Sequence, residues 1–166
     1  MCSVSGGVGG AGGAGGAQGG QFRAQFWSGI HGLSNMAQAK QKIQGKAASV
    51  TKNVAQINYA STNGPWPGLD NNFRDNFVVK FEGSLKIVTG GKYTFWTNSD
   101  DGSSLSVNGQ QVVNNDGTHG MRTRSGSLNL SPGTVKVTVW FFEKGGGAGV
   151  ICHWSGPGFG KKLIGA

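Results

Sequence analysis

Acid is scarce in this chain. Seven Asp and Glu stand against fifteen Lys and Arg, for a net charge of +8. A basic balance favours anionic partners such as nucleic acid, acidic glycans or an acidic protein surface. The cations form no single long run. Lys40, Lys42, Lys46 and Lys52 make one stretch, Arg122 and Arg124 a second, and Lys161 and Lys162 a third. A solvated charged surface is the plainer reading, and no interleaving of bases with aromatics marks a nucleic-acid platform. Cysteine is almost absent. Cys2 and Cys152 do not make a disulfide scaffold, and without a CxxC pair they do not make a zinc site.

Long apolar runs are missing too. None approaches the roughly 20 residues of a membrane span, and no basic-then-apolar leader follows Met1. This leaves an intracellular assembly or a processed form as the expected setting. Catalytic signatures are equally scarce. The three histidines, His31, His119 and His153, lie far apart, and no GxSxG, HExxH or GxxxxGK occurs. Cys152 and His153 adjoin, but neighbours on a strand face opposite ways and cannot share a site. The glycine run Gly145-Gly146-Gly147-Ala148-Gly149 leads into a strand, so it has no helix dipole with which to hold a dinucleotide. The expectation is a chain that performs no catalysis.

Glycine, by contrast, crowds residues 1–20, where there is no charge and no aromatic. Such a segment cannot bury a core and reads as a flexible low-complexity tail. Residues 21–166 carry all five Trp, nine Phe and two Tyr, enough for one hydrophobic core. Phe77, Val79 and Phe81 alternate with Val78, Lys80 and Glu82, the period of a half-buried strand. Gly83-Ser84 breaks that strand before Leu85 to Val88. Lys92 to Thr97 is an aromatic-rich strand, and Val135, Val137, Val139 and Phe141 share one face of a long one. Trp96, Trp140 and Phe142 fall on opposite faces to these and read as a second core layer, or else as partly exposed. Asn108-Gly109 between two alternating runs is a hairpin signal. Val150 to Trp154 is the last strand expected.

The first half is less regular. Phe22 to Trp27 reads as an edge strand, Ser34 caps a short helix reaching Gln44, and Val54 to Tyr59 alternates again. Short strands about every 8–12 residues, with turn residues between them, imply an all-β sandwich or barrel.

The acids that do exist are not scattered evenly, because Asp100 and Asp101 are adjacent. Two readings stand. Asp-Asp-Gly is turn chemistry, with carboxylates accepting from nearby backbone N–H groups. The pair also supplies hard oxygen donors of the kind calcium takes, and a cation would offset their repulsion. Asn98, Asn114, Asn115 and Asp116 would add oxygens if their loops converge on Asp100, Asp101 and Gly102.

Gly91-Lys92-Tyr93-Thr94-Phe95, Ser99-Asp100-Asp101-Gly102, Leu105, Val107-Asn108-Gly109 and Val112-Val113 together resemble the PA-14 domain, a family found in bacterial toxins, yeast adhesins and some β-glucosidases. Ser127 to Gly133, Val135 to Glu143 and Ala148 to Trp154 extend the resemblance. It is specific over 73–158 and weaker over 22–72. It implies a single PA-14-like β-sandwich or barrel over 21–166, lectin-like in character. In the sugar-binding branch the paired aspartates hold calcium, the calcium holds sugar hydroxyls, and the Asp–Asp peptide bond is cis. Asp100 and Asp101 are the positions that carry over. The branch adds ligands from a later loop, but here that loop, Lys144 to Ala148, bears no oxygen in its side chains.

Exposed rings are the other means of holding sugars, and Trp66, flanked by Pro65 and Pro67, is the candidate. The expected function is a recognition or adhesion module that binds a glycan or glycoprotein, with calcium as cofactor. The resemblance implies a cell-surface setting. The alternative is a structural subunit that docks to protein neighbours in a large assembly through its tail and basic surface.

Overall fold

The computed structural model describes residues 21–165. The tail expected over 1–20, with Cys2, lies outside them. In chain order the elements are β1 (Phe22–Trp27), α1 (Met36–Ile43), β2 (Val50–Val54), β3 (Asn58–Thr62), a 3-10 turn (Asn71–Phe73), β4 (Phe77–Ile87) and β5 (Gly91–Asp100). They continue with β6 (Ser103–Val107), β7 (Gln110–Asn115), β8 (Arg122–Leu130), β9 (Gly133–Glu143), β10 (Ala148–Gly156) and β11 (Phe159–Leu163). The strands form two antiparallel sheets. One has the order β2-β1-β4-β9-β6-β7, the other β11-β10-β5-β8, with β3 also paired to β10. The architecture is the all-β sandwich that strand spacing and turn residues imply.

Alternation decides which side chains meet between the sheets. Val135, Val137, Val139 and Phe141 of β9 point inward, as do Phe77, Val79 and Phe81 of β4 and Tyr93 and Phe95 of β5. The inward row of β5 then turns polar, with Thr97 and Ser99 both wholly buried. Side chains of the opposite parity on the six-stranded sheet are covered as well. α1 and its approach bring Ile30, Leu33, Met36, Ala39 and Ile43 onto Trp27, Val78 and Phe142, with Trp140 packed at the margin. Phe142 is buried in this second layer, whereas Trp140, expected there, is half-buried at its margin. Trp96, also expected in a second layer, lies half-buried on the five-stranded sheet, with the Lys161 ammonium 4.9 Å from its ring.

Several local readings are corrected by pairing partners. β1 is an interior strand between β2 and β4, not an edge. β4 runs through Gly83, which lies against the ring of Phe22; a Cβ there would stand 2.6 Å from it. The run Val54 to Tyr59 splits between β2 and β3. The helix cap is Asn35, whose Oδ1 accepts from the Gln38 N–H at 2.9 Å, and not Ser34. β11 follows the turn at Pro157-Gly158, which the sequence suggested as an ending.

Trp66 is the clearest correction. It is 1% exposed, stacks on Tyr59 at 4.1 Å and donates its indole N–H to the Ala148 carbonyl at 3.0 Å. This ring is therefore part of the core and presents no face to a sugar.

Candidate functional site

β5 belongs to one sheet and β6 to the other, so Asp101 and Gly102 form the corner that joins them. Gly102 is required there by crowding. A Cβ would run into the Phe142 ring and stand 2.9 Å from the Gly117 carbonyl oxygen. The Asp100–Asp101 peptide bond is cis, the arrangement that the resemblance implies.

The two aspartates differ. Asp101 is 5% exposed and acts as a clamp. Its Oδ1 accepts from the His119 N–H and its Oδ2 from the Lys144 N–H, each at 2.9 Å. It thereby fastens the β7–β8 and β9–β10 loops to the corner. Asp100 is half-buried, and burial followed by the neighbouring Asp101 charge raises its pKa above the ordinary aspartate value. The local-turn and cation readings are thus not exclusive. Asp101 meets backbone donors while Asp100 remains available.

A third acid completes the group. Glu143, the last residue of β9, is wholly buried. Its Oε2 accepts from the Asp101 N–H at 3.1 Å, and among the described residues its Oε1 has no hydrogen-bond partner. Asp100, Asp101 and Glu143 present oxygens within 4.8 Å of one another. Burial, then the charges of Asp101 and Asp100, push the Glu143 carboxyl up to about 9. Such a set of hard oxygen donors is able to hold a metal ion.

The glycine loop contributes by what it leaves open. A Cβ on Gly147 would stand 2.9 Å from Ser61 Oγ, 3.4 Å from Asp100 Oδ2 and 3.6 Å from Asn63 Oδ1. Three oxygens from two segments therefore surround a space that only glycine leaves empty. The Gly146 N–H donates to Asp75 Oδ1 at 3.1 Å, and Arg74 Nε donates to the Asn63 carbonyl at 3.1 Å. Adjacent residues thus hold both walls.

The other expected ligands have different work. Asn115 is wholly buried. Its amide N–H groups donate to Ser99 Oγ and the Arg122 carbonyl, and its Oδ1 accepts from Arg122 Nε at 2.9 Å. With Thr97, Ser99 and Ser103 it forms a closed polar network beneath the corner. Asp116 Oδ1 accepts from the Met36 and Gly117 N–H groups, each at 2.7 Å, and so ties the start of α1 to this end of the sandwich. Asn115 is held in the scaffold, its Oδ1 bonded to Arg122, while Asp116 uses Oδ1 to anchor α1 and the Gly117 N–H. Asn114 is exposed and accepts from the Asp116 N–H, whereas Asn98 shares the face of β5 that carries Asp100. Glu143, Ser61 and Asn63 were not expected. Glu143 was visible only as the acid closing a long core strand, and nothing in the order of the chain joins residues 61–63 to residue 100.

The fold and this tip define a class: a two-sheet β-sandwich whose connecting corner carries a cluster of carboxylates. The sequence profile of the PA14 domain matches residues 31–166. The chain belongs to the PA14 domain family. Among solved structures it is similar to a PA14 sugar-binding domain from an RTX adhesin, at 26% identity, TM-score 0.75, covering 89% of this chain and 95% of that one. It is also similar to the PA14 domain of the MpAFP antifreeze protein, at 16% identity, TM-score 0.76, with 95% and 93% covered. A third is the epithelial adhesin 6 A domain of Candida glabrata, solved with Galβ1-3GlcNAc, at 12% identity and TM-score 0.63, with 91% and 86% covered. A β-glucosidase of Kluyveromyces marxianus shares the fold over 15% of its own length. A search of curated protein sequences finds no match. Among the described residues no helix is long and apolar enough to cross a membrane.

Proposed function

We propose that this PA14 domain is a non-enzymatic carbohydrate-recognition module and that Asp100, Asp101 and Glu143 form its calcium site. The observation that carries the reading is the orphan oxygen. Glu143 is wholly buried, with Oε1 unbonded, against two further carboxylates. A buried polar atom without a partner is costly, and like charges at this distance repel. A divalent cation offsets both, and an all-oxygen set suits calcium. Bound calcium would supply coordination positions for two neighbouring hydroxyls of a sugar.

The chain does the rest. Asp101 fixes the two flanking loops, Gly147 keeps the entrance open, and Ser61 and Asn63 supply neutral oxygens in place of those the glycine loop lacks. The adhesin domain similar to this chain is described as sugar-binding, and the Candida adhesin holds a disaccharide, which supports the same ligand class here.

Three observations speak against catalysis. Glu143 has no exposed surface with which to reach a substrate. Asp100 and Asp101 adjoin, whereas glycosidase carboxylates flank the bond from two sides. Burial also pushes the Cys152 thiol up and away from nucleophilic chemistry.

The test is calorimetry with calcium chloride, then a glycan panel with and without EDTA, on the wild type and Asp100→Asn. The wild type is expected to take up calcium and to bind sugar only with it. Asp100→Asn should lose both while melting normally in EDTA. Absence of calcium uptake, or sugar binding indifferent to EDTA and to Asp100→Asn, overturns the reading.

A further inference from the structure

β3 leaves one edge unpaired. Among the described residues it bonds only to β10. Along that edge runs an open groove of about 650 Å³, within the usual size range of ligand sites. Its lining includes Gln56, Asn58, Tyr59, Ser61, Thr62 and Pro65. The chemistry is mixed: an aromatic ring, proline faces, side-chain amides and hydroxyls. The ring is fixed in place, since Tyr59 stacks on the buried Trp66 at 4.1 Å. Sugars have the matching character, with apolar ring faces and hydroxyl rims.

The groove meets the acidic corner. Ser61 lines it, and Ser61 Oγ and Asp100 Oδ2 border the same space left by Gly147. The pairing agrees. β10 sets Gly149 opposite Asp100, Ala148 opposite Thr62 and Val150 opposite Tyr59. From the corner the groove therefore runs back along β3 from Ser61 toward Asn58, about 10 Å at strand rise.

We infer that this groove is a second subsite, which takes the following units of an oligosaccharide whose terminal sugar sits at the Asp100 corner. The inference rests on the sugar-binding reading above. A peptide added to the β3 edge fits less well. β3 is only five residues long, and its register with β10 shifts between Ala148 and Val150, so the edge is not a regular template.

The experiment compares glucose and galactose with their α- and β-linked di- and trisaccharides in saturating calcium. Proteins are the wild type, Asn58→Trp, which fills the groove from an exposed position, and Tyr59→Leu, which removes the ring; melting checks that each variant folds. At least one trisaccharide series should bind the wild type about tenfold tighter than its monosaccharide. Both variants should erase that gain and leave monosaccharide affinity within about twofold. Side-chain amide signals of Gln56 and Asn58 in the wild type should shift with the trisaccharide and not with the monosaccharide, a readout that needs no variant. Calcium-dependent monosaccharide binding with no gain from length, or a gain that survives both variants, overturns the groove alone. A peptide that moves those amides while sugars do not overturns it equally. No calcium-dependent binding of any sugar overturns the corner and the groove together.

Discussion

Glu143 joins burial to chemistry at a single residue. Its carboxyl titrates at about 9 in the folded protein, against 4.5 as its ordinary value. Between those values the folded state keeps a proton that the unfolded chain has lost. The unfolded state then binds fewer protons, so stability falls as pH rises through this window and is highest below it. The raised pKa of Asp100 acts in the same direction. Urea unfolding in EDTA should therefore show the ion-free protein losing stability from pH 5 to pH 8. Glu143→Gln should flatten most of that slope and raise stability at pH 8 by roughly 2–4 kcal/mol. An unchanged slope would mean that the carboxyl is ionised and already neutralised by another group. The pair Asp100-Asp101 was legible because two of only seven acids stand together. Glu143 was not, since a single acid after Phe141-Phe142 looks like any strand end until the fold places it under the corner.

Among the elements, α1 is tied to the β7–β8 loop through one carboxylate. Asp116 was expected at the ligand site, but its Oδ1 holds the N–H of Met36, the first residue of α1. A helix start leaves N–H groups without intrahelical partners, so a side-chain oxygen there stabilises it. Asp116→Ala should cost about 1–2 kcal/mol in chemical denaturation while calcium and sugar affinities stay unchanged. A loss of calcium affinity in a folded Asp116→Ala would instead return this residue to the site. Strand periodicity was readable where apolar and polar residues strictly alternate, as in β9. It failed where both faces are covered or where backbone pairing decides. β4 crosses Gly83 because Phe22 of β1 fills the missing side chain's place. β11 follows Pro157-Gly158 because β10 offers it an edge beside β3.

Over the whole molecule, the sandwich puts the ends of β5, β9 and β3 at one tip, so an ion bound there would tie both sheets together. Binding to the native state alone stabilises by mass action, about 2.7 kcal/mol at a hundredfold excess over Kd. Scanning calorimetry should show calcium raising Tm by roughly 5–10 °C, magnesium raising it less, and Asp100→Asn not responding. Equal melting with and without calcium would deny the tip any such coupling. Taken alone, the order of residues determined the β class, the inward row of β9, the Asn108-Gly109 hairpin (with φ of 48° and 81°) and the acidic pair at a strand end. These are local matters of alternation, backbone freedom and adjacency. Only the tertiary structure decided that Trp66 is buried, that Asn115 and Asp116 serve the scaffold, and that Glu143, Ser61 and Asn63 join Asp100. Burial and convergence depend on which distant segments pair, and that is set by packing two whole sheets face to face.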